Sequence, residues 1–133
     1  MSAVTESVAL VQALYAAYRG SDYETFASLC TPDLVWEQCA GFPYGGIHHG
    51  PAAVVEGVFE TLPRYWDGFG YDVEQMLDAG TAVVVLGAYV GTHRETRRSF
   101  RAATTHVFDI EAGRIRRFRQ YTDTAPVVAA AGI

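Results

Sequence analysis

Histidine is the side chain that gives or takes a proton near neutral pH without extreme tuning. This chain has four: His48, His49, His93 and His106. His106 falls in the run Phe100–Ile110, which reads as a strand. Alternation puts Ala102, Thr104, His106 and Phe108 on one face of it. The same rule groups Leu34, Trp36 and Gln38 on an earlier strand. It groups Phe118, Gln120 and Thr122 on a later one, with Arg117, Arg119, Tyr121 and Asp123 opposite. The face with Trp36, His106 and Phe118 is the more apolar and is expected to wall a pocket. Gln38 and Gln120 would there orient a carbonyl or a water. Leu14 and Tyr18, four apart on the first helix, would face the same space. Three roles stay open for His106: a hydrogen-bonded core residue, a ligand-orienting group, or a general base or acid.

Other reactive residues carry less. His48 and His49 sit in a glycine-rich loop expected to rim the pocket, with His48 at its mouth. Neighbouring histidines on a strand point apart and a third ligand is missing, so no metal site is expected. Phe59 and Trp66 belong to an aromatic-rich middle segment that suits core packing or an apolar ligand. Cys30 and Cys39 are nine apart, without a CxxC spacing, and read as free thiols of a cytoplasmic protein. No phosphate-binding glycine loop, HExxH, EF-hand or nucleophile-elbow motif is present.

The formal net charge of −5 argues against a phosphate-backbone binder, so no nucleic-acid partner is expected. All ten basic residues are arginine, and eight lie between Arg94 and Arg119. Residues 1–93 carry two arginines against eleven acids. The clustered arginines read as strand faces paired with acids elsewhere in the domain or across a dimer. No apolar run approaches the roughly 20 residues of a membrane span. The opening MSAVTESVALVQAL lacks the basic region and cleavage site of a signal peptide.

Apolar residues at spacings of three and four predict a helix over 4–19. A short helix over 22–29 ends at Thr31-Pro32-Asp33, and Leu34–Gln38 follows as a strand. Residues 40–50 read as a loop. Pro51 is placed to open a third helix running to Leu62. Strands follow at Tyr71–Leu77, Thr81–Gly91, Phe100–Ile110 and Arg114–Asp123. Asp78-Ala79-Gly80 and Glu111-Ala112-Gly113 form hairpin turns between them. The small apolar tail is expected to pack on a neighbour or fray. Helices first and an antiparallel sheet after make one α+β domain over residues 1–133.

Elements of this order and length resemble the NTF2-like superfamily, which includes ketosteroid isomerases and SnoaL-like polyketide cyclases. The carriers are Tyr18-Arg19-Gly20-Ser21-Asp22, the run FASLCTPDLVW, the glycine loop leading to His49-Gly50-Pro51-Ala52-Ala53-Val54, and the closing THVFDIEAGRIRRFRQYTDTA. The SnoaL-like branch is the most similar. The resemblance implies a cone-shaped curved sheet wrapped round a long helix. It also implies an apolar pocket at the open end and dimers through the outer sheet face.

The isomerase reaction needs an aspartate base with a tyrosine and a protonated aspartic acid around the enolate. The matching positions hold Gln38, Leu14 and His106 or Thr105, so that mechanism is not expected. The epoxide-hydrolase branch uses an Asp–Arg–Asp set, where this chain has His106, Thr104 and Gln120. In SnoaL-like cyclases a late-strand aspartate is the base, which makes Asp123 a rival to His106, although alternation turns it away. The expected function is binding or cofactor-free proton transfer on a small apolar carbonyl compound. A non-catalytic binder or an assembly domain with a vestigial pocket are the alternatives.

Overall fold

The computed structural model describes residues 4–133. Helix α1 spans Glu6–Arg19. Its N-cap Thr5 accepts a hydrogen bond from the Val8 amide at 3.2 Å, which satisfies one of the free donors of the first turn. One face of α1, with Val11, Leu14 and Tyr15, is buried. Helix α2 (Tyr23–Ser28) is capped by the Asp22 carboxylate, which accepts from the Thr25 amide.

Strand β1 runs Cys30–Gln38, four residues earlier than Leu34. Pro32 does not break it, because ladder pairing lapses between Cys30 and Val35, where a missing N–H costs nothing. Within the expected loop, Ile47–His49 forms a three-residue edge strand, β2. The single helix expected over 51–62 is instead broken. Helix α3 (Pro51–Val54) passes into a π-turn at Val55–Phe59, and α4 (Leu62–Tyr65) follows. The turn buries Val58 and Phe59 together.

Four long strands complete the sheet: β3 (Trp66–Asp78), β4 (Ala82–His93), β5 (Ser99–Glu111) and β6 (Arg114–Thr122). The order across the six strands is β2-β1-β6-β5-β4-β3, with β1 parallel to β6 and the other pairs antiparallel. Register shifts interrupt β3 twice, between Asp67 and Gly70 and between Val73 and Gln75, and such bulges bend a strand.

The tail neither frays nor waits for a neighbour. Thr124–Ala131 is helix α5, with Val127, Ala130 and Ala131 buried in the common core. Thr96 Oγ1 donates to the Ala130 carbonyl, left free at the helix end, and the Arg98 guanidinium adds a second donor to the Ala129 carbonyl, which also accepts the Gly132 amide. Nearby, His93 Nδ1 accepts from the Glu95 and Thr96 amides, so its Nε2–H donates to Tyr44 Oη at 2.9 Å. Tyr44 also stacks on Tyr65 at 3.6 Å, which ties the glycine loop to the rest of the domain.

The basic strands pair largely within the domain: Arg117 with Glu37 at 2.6 Å, Arg101 with Asp72 at 2.8 Å and Arg119 with Asp109 at 3.3 Å. Each is partly exposed and contributes at most about 1 kcal/mol. Both cysteines are free, and burial pushes the Cys30 thiol up to about 12, which keeps it unreactive. Among the described residues no helix is long and apolar enough to cross a membrane.

Candidate functional site

The register of the sheet places the site. His106 on β5 lies opposite Val85 on β4 and Gln120 on β6, and Gln120 lies beside Gln38 on β1. In the next row Trp36, Phe118, Phe108 and Val83 are successive neighbours. Helix α1 packs across these rows and leaves a cavity of about 630 Å³ between helix and sheet. Leu14, Tyr18, Trp36, Gln38, Phe59, His106 and Phe118 line it. Trp36 and Phe118 stack with centroids 3.7 Å apart and form one wall.

Other expected lining residues lie elsewhere. Phe108 is buried behind the wall, packed against Phe118 and His106. Thr104 is turned into the sheet, its hydroxyl 3.0 Å from the Ala102 carbonyl oxygen and 3.3 Å from Thr122 Oγ1. Gln120 is buried beneath the surface, its Oε1 accepting from Thr122 at 2.7 Å. Trp66 sits in the opposite end of the core, edge-on to His93 and Phe100 at 4.9 Å. His48 folds its ring over Gly57 of the π-turn, where any Cβ would lie 2.5 Å from it. Asp123, expected to end the last strand, lies one residue beyond it, exposed at the N-cap position of α5 and away from the cavity lining. The expectation for Thr104, Phe108 and Gln120 rested on strand alternation, which assigns a face but not a depth along it.

The centre of the site is a chain of three side chains. Tyr15 Oη lies 2.7 Å from His106 Nδ1, and Tyr89 Oη lies 2.7 Å from Nε2. Tyr71 stacks on the imidazole with centroids 4.1 Å apart, and its hydroxyl donates to the Thr104 carbonyl at 2.7 Å. All three tyrosines line the cavity. Their absence from the sequence reading has a reason. Tyr15 and Leu14 are adjacent and compete for the same inward position of α1, and Ala82–Val90 is an almost unbroken apolar run in which alternation marks no face. A usable signal was there: Gly87, Tyr89 and Gly91 share one face, and glycines two residues either side of a tyrosine leave room for a second ring.

Gly87 supplies that room. A Cβ there would clash with the Asp72 carbonyl oxygen and lie 2.9 Å from Tyr71 Cζ. Tyr71 therefore crosses β4 over Gly87 to reach His106. Gly87→Ala is expected to destabilise the domain by about 1–3 kcal/mol through overpacking. It should also displace Tyr71 from His106. Urea unfolding and the His106 ring resonances report the two effects, and an unshifted His106 spectrum would show that Tyr71 tolerates the methyl group.

Burial holds this centre neutral. It lowers the His106 pKa to about 3 and raises the hydroxyls of Tyr15, Tyr71 and Tyr89 far above their ordinary range. A neutral imidazole has one donor and one acceptor nitrogen. One of Tyr15 and Tyr89 must therefore donate to it, while the other accepts its N–H. The second tyrosine keeps its own proton free to donate. Both nitrogens of His106 are thus engaged, so His106 meets the cavity contents through a phenol. Among the described residues the only carboxylate on the lining, Asp72, is tied to Arg101. What this arrangement does chemically is offer a neutral hydroxyl donor in a largely apolar enclosure, which suits a carbonyl oxygen.

An α+β domain of helices against a curved, unclosed sheet with a cavity at their interface defines the class. The SnoaL-like domain family matches residues 11–118, and the chain belongs to that family. An NTF2-like protein from Burkholderia thailandensis is 36% identical, with a TM-score of 0.86 over 91% of this chain and 93% of that one. Two further likenesses concern the fold alone. TerC, co-crystallised with polyporic acid, is 22% identical with a TM-score of 0.85 over 97% of this chain and 100% of its own. IdmH from Streptomyces antibioticus, described as a candidate polyketide cyclase, is 20% identical with a TM-score of 0.76 over 97% and 100%. No curated protein matches the chain.

Proposed function

We propose that the cavity holds a small, largely apolar carbonyl compound and promotes cofactor-free proton transfer next to its carbonyl. The observation that carries this reading is the neutral Tyr15–His106–Tyr89 chain set into an aromatic cavity. The free phenol would donate to the carbonyl oxygen. As an enol forms, the oxygen would gain that proton and the phenol would recover one through His106 from the second phenol; the α-proton would leave to a solvent water, and solvent would return a proton to the second phenol. TerC's polyporic acid and IdmH's candidate cyclase role support a small organic ligand. The second reading, a binder without chemistry, is favoured by the lack of an unpaired carboxylate on the lining to act as base.

The α-protons of butyrophenone in D2O separate the two readings. The enzyme reading expects NMR-detected exchange above the buffer rate. Replacing whichever of Tyr15 and Tyr89 donates by phenylalanine should slow it about 10²–10³-fold, the cost of losing one such donor. Binding without exchange leaves the binder reading. No binding at all overturns the cavity reading.

The same domain is proposed to dimerise through its outer sheet face. Leu77, Val84 and Val107 are successive neighbours there, and the adjacent row carries Leu86 and Tyr121, the latter 52% exposed. A patch of this kind, rimmed by Arg117 and Arg119, supports a subunit contact. Light scattering on the wild type and on Leu86→Glu tests it. A monomeric wild type overturns it.

A further inference from the structure

We infer that the ligand of this cavity is a keto-carboxylate, its anionic end held by Arg19 at the mouth while its ketone reaches the Tyr15–His106–Tyr89 chain. The inference rests on the carbonyl reading above and adds a charge to it.

Arg19 and Asp72 are the two charged residues on the cavity lining, and only Arg19 is uncommitted. The Asp72 carboxylate pairs with Arg101 at 2.8 Å. Arg19, like Arg64, Arg94, Arg98 and Arg114, has no acid within 4.0 Å among the described residues, but of these only Arg19 lines the cavity. The first 93 residues hold eleven acids, and only Arg19 and Arg64 to answer them. One of those two arginines stands at the cavity without an acid.

Its position along α1 gives the spacing. Arg19 follows Tyr15 by four residues, so both project from the same face of the helix, about 6 Å apart along its axis. Tyr15 is deep and buried, and Arg19 is exposed. The guanidinium is close enough for its charge to favour ionisation of the Tyr15 hydroxyl, against the larger effect of burial. A molecule lying along α1 would meet a hydroxyl donor at one end and a planar cation fork at the other. The fork matches a carboxylate in shape and charge. Between them the walls are Trp36, Phe59 and Phe118. The competing account is that Arg19 only complements the helix dipole at the end of α1, which predicts no ligand selectivity.

Calorimetry with 4-oxo-4-phenylbutanoate and its methyl ester tests this. The two share a ring and a ketone and differ in charge. At low ionic strength the acid should bind about fivefold tighter, the size expected for one partly exposed ion pair. Arg19→Gln should equalise them, Arg19→Glu should reverse the order, and Arg64→Gln should change nothing. Equal wild-type affinities, or a preference that survives Arg19→Gln, overturn the inference and leave the carbonyl reading standing. Failure of both compounds to bind overturns both.

Discussion

Lowering the pH from 7 to 5 is expected to cost this domain about 2 kcal/mol of stability through His106 alone. In the folded chain burial lowers the His106 pKa to about 3. In the unfolded chain it titrates near its ordinary value of about 6.5. Between those two values the unfolded state binds the extra proton, so stability is intact above about pH 6.5 and falls as the pH drops toward 3. His48, lowered by burial and by His49, adds a smaller loss of the same sign. Most carboxylates titrate below pH 5, so the window from 6.5 to 5 belongs chiefly to histidine. Urea unfolding at pH 7, 6 and 5 measures the slope. His106→Asn keeps groups able to hydrogen-bond the two phenols but does not titrate, and it should flatten the curve. A wild-type curve that is already flat would mean that His106 reaches water or a charged partner when folded.

Trp36→Ala should produce the largest loss, about 3–5 kcal/mol, from removing an aromatic side chain packed on three sides. Trp36 is 5% exposed, stacks on Phe118 at 3.7 Å, and meets Phe26 and Phe59 edge-on at 5.7 Å. Its remaining face borders the cavity, so alanine would merge a packing void with the space meant for the ligand. Butyrophenone affinity should fall with it, because the wall the ring lies on is gone. Against a typical stability of about 5–15 kcal/mol, this loss approaches the point of unfolding. Trp36→Phe, which keeps a ring against Phe118, should cost less and retain binding. Thermal unfolding and calorimetry on the pair check this, and an alanine variant losing under about 1 kcal/mol would show that α1 collapses onto the sheet instead.

Both predictions turn on residues that the sequence already pointed to, while the partners that set their behaviour came from the fold. Period-two alternation was enough to put Trp36, Gln38, His106 and Phe118 on one face, because backbone pleating alone dictates it. The same rule swept in Thr104, Phe108 and Gln120. It has no term for the helix that covers some positions of a face and leaves others open. Asp123 lies beyond the end of β6, where it opens α5, so the alternation of the strand does not govern it. His48 and Trp66 failed for another reason. One is placed by the π-turn at Gly57 and the other by packing at the far end of the core, and neither leaves a periodic trace.

The amino-acid order by itself determined the amphipathic α1, the short α2, the succession of four late strands with their hairpin turns, and the apolar inner face. Each depends on interactions within a few residues, or on which residues water excludes. Tertiary structure alone decided that α5 packs back onto its own sheet and that the long strand β3 begins at Trp66. It also decided that a tyrosine from α1, one from β3 and one from β4 converge on His106. Those three lie 91, 35 and 17 positions from it in the chain. Their meeting depends on the order of strands in the sheet and on the space above Gly87. The glycines flanking Tyr89 are the one local trace of that space; the strand order is not a property of any local stretch of residues, so the convergence itself belongs to the tertiary structure.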